Sequence, residues 1–73
     1  MNKKRIAIIG STGSIGTQAL AVIKEHNELF TAEVLAAYNN AELLVQQALV
    51  FQPNAVIIVN EEKYGLVAEA LAG

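Results

Sequence analysis

The sequence predicts an α/β fold: three βα units of a parallel sheet with helices on both faces. Three observations predict it. Short apolar runs rich in β-branched residues do not alternate with polar ones, as expected of strands covered on both sides. Apolar residues at helical spacing follow each run, and a glycine-rich turn sits at the first junction between the two.

The first strand is Arg5 to Ile9, a continuous run halted by Gly10. Beyond the glycine turn, Ile15, Ala19, Val22 and Ile23 fall at i, i+4, i+7 and i+8, which predicts a helix from about Ser14 to Glu25 with that stripe inward. His26 and Asn27 close it, Asn27 as a left-handed cap and His26 against the negative helix end. Lone His26 reads as a surface terminus, since no nucleophile or second ligand is spaced to join it.

Thr31 to Ala37 reads as the second strand, with Tyr38, Asn39 and Asn40 as its exit. From Ala41 the pattern is helical again, with Leu44, Ala48 and Phe51 on one face and Asn39 or Asn40 able to cap the free N–H groups. With Asn39 as the cap, Glu42 completes a capping box. Pro53 disfavours helix at Gln52 and ends the element. Ala55 to Val59 is the third strand. Asn60, Glu61 and Glu62 then form a capped, negatively charged helix start, Val67, Ala70 and Leu71 give that helix its inner stripe, and Gly73 is its exit.

Units repeating about every 25 residues imply right-handed crossovers. In a doubly wound sheet the strands lie in the order 3-2-1, which leaves the apolar edge of strand 1 for a strand 4 that these residues do not supply. A chain of 73 residues is also short. Near this size a chain buries only about 60% of the surface its unfolded form exposes. Yet 53% of its residues are hydrophobic and 16% charged, more apolar surface than one small core needs. The chain is therefore expected to be the N-terminal half, residues 1–73, of a dinucleotide-binding domain, with catalytic and C-terminal domains absent from it.

Composition excludes several classes. The net charge is −2, and Lys3, Lys4 and Arg5 are too few for the positive footprint of a nucleic-acid binder. No apolar run approaches a membrane span, the run after the three cations is too short for a secretory signal, and there is no cysteine. A cytoplasmic protein is expected, with neither nucleic-acid nor membrane partners. No metal-ligating cluster is visible; Glu61 and Glu62 are adjacent, so on a helix they point about 100° apart.

The chemistry lies in Gly10, Ser11, Thr12, Gly13, Ser14, Ile15 and Gly16, between a strand and a helix. Gly10 lets the chain leave the strand sharply, Gly13 lets backbone N–H groups approach phosphate oxygens, and Gly16 seats the helix against the sheet. The helix start adds unpaired N–H donors and a positive dipole end, with the Thr12 and Ser14 hydroxyls as further donors. No Gly-Lys-Ser/Thr follows, which excludes a triphosphate-binding Walker loop and favours a dinucleotide. The first two glycines are separated by two residues, a variant of the plain Gly-x-Gly-x-x-Gly fingerprint of Rossmann-like domains. At the end of strand 2 no carboxylate repels the 2′-phosphate of NADP, and no Arg or Lys attracts it. Asn39 and Asn40 can donate amide hydrogen bonds there, act as turn and cap, or do both, and Tyr38 can pack on an adenine.

The string from Gly10 to Gly16, with Ala36 to Asn40 and Gln52-Pro53-Asn54, resembles the 1-deoxy-D-xylulose 5-phosphate reductoisomerase family across essentially the whole chain. Related Gly-x-Thr-Gly-x-x-Gly loops occur in semialdehyde and extended short-chain dehydrogenases; those families are the alternatives, along with a non-enzymatic dinucleotide-binding module. The resemblance implies an NADPH-dependent enzyme that rearranges and reduces 1-deoxy-D-xylulose 5-phosphate to 2-C-methyl-D-erythritol 4-phosphate, in isoprenoid precursor synthesis. It implies a divalent metal, magnesium or manganese, held by residues outside this chain, a sugar-phosphate substrate, and a homodimer at full length. It places Thr12, Gly13, Ser14 and Ile15 on the cofactor pyrophosphate and nicotinamide half and Asn40 on the adenosine ribose phosphate. The family commonly has Gly followed by Lys or Arg just before that Asn, where this chain has Tyr38 and Asn39. The fragment alone is expected to be inactive.

Overall fold

The computed structural model describes residues 3–72. Gly73, the expected exit from the last helix, lies outside them. The order is β1 (Lys4–Ile9), α1 (Ser14–Glu25), β2 (Phe30–Ala37), α2 (Ala41–Phe51), β3 (Ala55–Ile58), a 3₁₀ turn (Glu61–Lys63) and α3 (Tyr64–Leu71). All strands are parallel and β2 is central, as the 3-2-1 order requires. The register shifts between Ile6 and Ala7, which pair with Ala32 and Val34, so Glu33 is the extra residue of β2. Asn54 clamps it, donating its backbone N–H to the Glu33 carbonyl at 2.9 Å and its side-chain amide to the carboxylate at 2.7 Å.

One core holds the fold together. Ile8 of β1, Ala32, Leu35 and Ala37 of β2, Leu20 and Ile23 of α1, Ala41 and Leu44 of α2, and Val67 of α3 are buried together, with Ile6, Val56 and Ile58 packed against them. Successive strand residues point to opposite faces, so all three helices lie on one face. This corrects the expected placement of helices on both faces while leaving the Rossmann-like parallel α/β class as expected. The other face carries Ala7, Ile9, Val34, Ala36, Ala55 and Ile57, of which Ile9 is 78% and Ile57 50% exposed. The first and third strands are thus covered on one side, by the helices, and their unbroken apolar runs have outward halves that no described residue covers.

The stripe of α1 is also corrected. Gly16, Leu20 and Ile23 face the core, whereas Ile15 and Val22 are exposed and Ala19 half-buried. Apolarity alone does not count a glycine as an inward position, and Gly16 is the residue that seats the helix. The stripe Ile15, Ala19, Val22 borders the free edge of β1. In α2, Leu44 and Ala48 are buried and Phe51 half-buried, as expected. In α3, Val67 is buried and Leu71 half-buried, but Ala70 is exposed.

Two ends differ in detail, and the cap at Asn60 is as expected. The cap of α1 is His26, and Asn27 does not take the left-handed conformation; among the described non-glycine residues only Gln52, at φ 50°, does. That position precedes Pro53, which denies it the helical region. The cap of α2 is Asn40, whose side-chain oxygen accepts from the Leu43 N–H at 3.2 Å, so the expected capping box of Asn39 and Glu42 is not formed. Asn60 caps the 3₁₀ turn through the Glu62 N–H at 3.0 Å.

Candidate functional site

The loop from Gly10 to Gly16 leaves the C-terminal end of β1 beside the corresponding end of β2, where ligands of open parallel sheets sit. Its path is fixed by backbone bonds. The N–H groups of Gly10 and Ser11 both donate to the Ala36 carbonyl, at 2.8 and 2.9 Å, and Gly13 N–H donates to Gly10 O at 3.0 Å. Thr17 N–H turns back onto Gly13 O at 2.9 Å, and its hydroxyl donates to Ser14 O at 3.0 Å.

The three glycines serve different purposes. Gly10 has φ +80°, a left-handed conformation, with open space where a Cβ would stand. Gly16 has ordinary backbone geometry, but a Cβ there would lie 2.1 Å from Gly10 O and 2.7 Å from Ser11 Cα. Gly13 is required by neither constraint. Its φ is −80°, and a Cβ would meet only Gly10 O, at 3.5 Å, an ordinary contact. A side chain at Gly13 is compatible with this chain's own fold, and its absence leaves the helix end open.

At that end the N–H groups of Ser14, Ile15 and Gly16 belong to the first helical turn and lack acceptors one turn earlier. Gly13, Ser14 and Ile15 are exposed, and Thr12 is half-buried. Gly10, Gly13, Ser14, Ile15 and Gly16 line a hollow of about 520 Å³, with Ile9 of the free strand edge on its wall. Several N–H donors converging at a positive helix end, with no carboxylate among the lining residues, form a receptor for a phosphate or diphosphate.

The second corner is Tyr38, Asn39 and Asn40, all exposed. It lies at the end of β2, next to the strand end from which the loop departs. Asn40 Oδ1 is occupied in capping, which leaves its amide N–H groups as the side chain's donors. Asn39 Oδ1 accepts from Asn60 Nδ2 at 2.7 Å, and Asn60 N–H donates to Tyr38 O at 2.9 Å, so the end of β3 braces this corner.

Sequence reading overlooked two residues. Ser11 is fully buried, and Gln47 of α2 is 7% exposed with its Nε2 donating to Ser11 O at 2.8 Å. The signal available was a polar residue at i+3 from Leu44, on the inward face of a helix whose apolar stripe was already recognised.

A parallel sheet carrying a glycine loop and open helix end at its C-terminal edge defines a Rossmann-like nucleotide-domain architecture. Comparison with known sequences makes this particular. The chain belongs to the 1-deoxy-D-xylulose 5-phosphate reductoisomerase family, whose model matches residues 6–73. It is 61% identical over 70 residues to the reductoisomerase of Bacteroides thetaiotaomicron, covering 96% of this chain and 18% of that protein. To that of Porphyromonas gingivalis it is 53% identical over 70 residues, with the same coverage. The chain thus spans about a fifth of the length of the curated relatives it matches.

Solved structures agree. The Zymomonas mobilis reductoisomerase in complex with NADPH superposes with a TM-score of 0.93 at 28% identity, over 99% of this chain and 19% of that one. A reductoisomerase in complex with magnesium superposes with a TM-score of 0.90 at 25% identity, over 97% and 18% respectively. Membership decides against the semialdehyde and extended short-chain dehydrogenases. Among the described residues no helix is long and apolar enough to cross a membrane, and no three His, Cys, Asp or Glu residues are grouped to hold a metal.

Proposed function

We propose that this chain is the N-terminal half of the NADPH-binding domain of a 1-deoxy-D-xylulose 5-phosphate reductoisomerase. The whole enzyme makes 2-C-methyl-D-erythritol 4-phosphate, a step of isoprenoid precursor synthesis. The observation that carries this reading is Gly13, where a side chain would fit the chain's own backbone but would stand at the mouth of the open helix end. A site for a pyrophosphate needs that space.

When bound, NADPH supplies the hydride that reduces the aldehyde formed by rearrangement. The residues of this chain bind and orient. Backbone N–H groups of Thr12, Ser14 and Ile15 hold pyrophosphate oxygens, with the hydroxyls of Thr12 and Ser14 as further donors, while Gly13, whose own N–H is taken by Gly10 O, leaves the space that the pyrophosphate occupies. Gly10 and Gly16 shape the turn. Ile15, 82% exposed beside the hollow, offers an apolar surface to the nicotinamide half. Asn40, and Asn39 beside it, donate to the adenosine ribose and its 2′-phosphate.

The sugar-phosphate site and the divalent metal, magnesium or manganese, are assigned to residues outside this chain, and the enzyme is read as a cytoplasmic homodimer. These assignments rest on family membership. The test is to titrate the full-length protein with NADPH and NADH, then supply 1-deoxy-D-xylulose 5-phosphate and magnesium and follow loss of NADPH absorbance. Saturable NADPH binding and substrate-dependent oxidation are expected. Binding without turnover of this substrate would favour a dinucleotide-binding module instead.

A further inference from the structure

Among the described residues two polar side chains are buried, Ser11 and Gln47, and they meet through the Gln47 amide and the Ser11 carbonyl at 2.8 Å, 36 residues apart. Gln47 occupies the inward face of α2 between Leu44 and Ala48, positions at which an apolar residue would pack without cost. A buried amide is expensive unless fully hydrogen-bonded. This one is not, because its Oε1 has no hydrogen-bond partner among the described residues. Stability alone is a poor reason for a glutamine here.

Its partner supplies a better one. The Ser11 peptide is held from two sides, its N–H by Ala36 O at 2.9 Å and its C=O by Gln47. No described peptide bond is cis. In a planar trans peptide the C=O of one residue and the N–H of the next point in opposite directions. With the Ser11 carbonyl drawn inward to α2, the Thr12 N–H is therefore turned away from α2, and it has no hydrogen-bond partner among the described residues.

The geometry points to Gln47 as a positioning residue of the glycine loop: by fixing the Ser11–Thr12 peptide, it aims the Thr12 N–H at the pyrophosphate of the bound dinucleotide. This rests on the cofactor reading proposed above. The same helix carries Asn40 at its N-cap, so α2 links the pyrophosphate loop to the adenosine corner, and loss of the Gln47 bond weakens the first without disturbing the second.

The experiment uses the full-length enzyme and two ligands, NADPH and 2′-AMP, which shares the adenosine corner but has no pyrophosphate. Gln47→Met keeps the side-chain length and removes the donor. The expected result is a rise of about tenfold in the Kd for NADPH, the size of one lost hydrogen bond to a charged group, with 2′-AMP affinity within about twofold of wild type. A second variant, Gln47→Glu, covers the case in which the first does not fold. Its carboxyl can donate to Ser11 O only when protonated, so NADPH affinity should fall with rising pH more steeply than in wild type.

Unchanged NADPH affinity in Gln47→Met, equal weakening of both ligands, or a wild-type pH profile in Gln47→Glu would each overturn the proposal while leaving the cofactor reading intact. Wild-type enzyme that binds no NADPH would remove both.

Discussion

A Cβ placed on Gly16 would lie 2.1 Å from the carbonyl oxygen of Gly10, so the first turn of α1 rests directly on the backbone of the loop that precedes it. The contact is backbone against backbone, and no side-chain rotation can relieve it. Gly16→Ala should therefore force the helix away from the sheet and cost about 3 kcal/mol, at the upper end of ordinary overpacking. Gly10→Ala meets no atom within 4 Å and carries only the cost of its positive φ, about 1–2 kcal/mol. Urea denaturation of the full-length variants should rank them in that order, and equal midpoints would contradict the packing argument.

Gly13 should behave in the opposite manner. Because its Cβ position meets only an ordinary contact, Gly13→Val should cost stability only at the level of a poorer N-cap, about 1 kcal/mol. Dinucleotide binding should be abolished. Isothermal titration with NADPH beside a denaturation curve separates the two effects, and a folded variant that retains wild-type affinity would refute the loop assignment.

The asparagine corner separates by cofactor. Asn40→Ala removes the α2 cap, worth about 1 kcal/mol, and Asn39→Ala removes the partner of Asn60. If both amides also reach the 2′-phosphate, the double variant should lose NADPH affinity far more than NADH affinity. Equal losses would restrict the pair to capping or to the ribose hydroxyls shared by both cofactors.

The open face makes a prediction about the 73-residue chain on its own. Ile9 of β1 and, across β2, Ile57 and Val59 at the β3 end are 78%, 50% and 54% exposed, and among the described residues the outer edge of β1 is unpaired. Contiguous apolar surface next to a free strand edge promotes association. The isolated chain should self-associate in a concentration-dependent way, and Ile9→Lys should reduce this in analytical ultracentrifugation. A wild-type chain monomeric at high concentration would contradict the reading.

Much of the fold was legible because local signals and tertiary packing agree. The α1 helix spans Ser14–Glu25 as the apolar spacing requires, β2 is central as the crossovers require, and Pro53 ends α2 by restricting Gln52. The loop was legible for the same reason, since glycine is needed wherever the backbone turns left-handed or packs closely. The inward side of α1 was not, because Gly16 has no side chain for a hydrophobic pattern to register. Neither was the choice of Asn40 over Asn39 as the cap, where two identical residues adjoin and the connection to Asn60 of another strand end decides.

By itself the sequence determined the class of fold, the order of its strands and the position of the glycine loop, because these follow from periodicity and backbone restriction along the chain. Only the tertiary structure turned α1 so that Gly16, Leu20 and Ile23 face the core while Ile15 and Val22 stay exposed. Only it placed all three helices on one face and brought Gln47 beneath Ser11. The physical reason is that each of these depends on distances between residues far apart in the chain, which periodicity and local propensity do not encode.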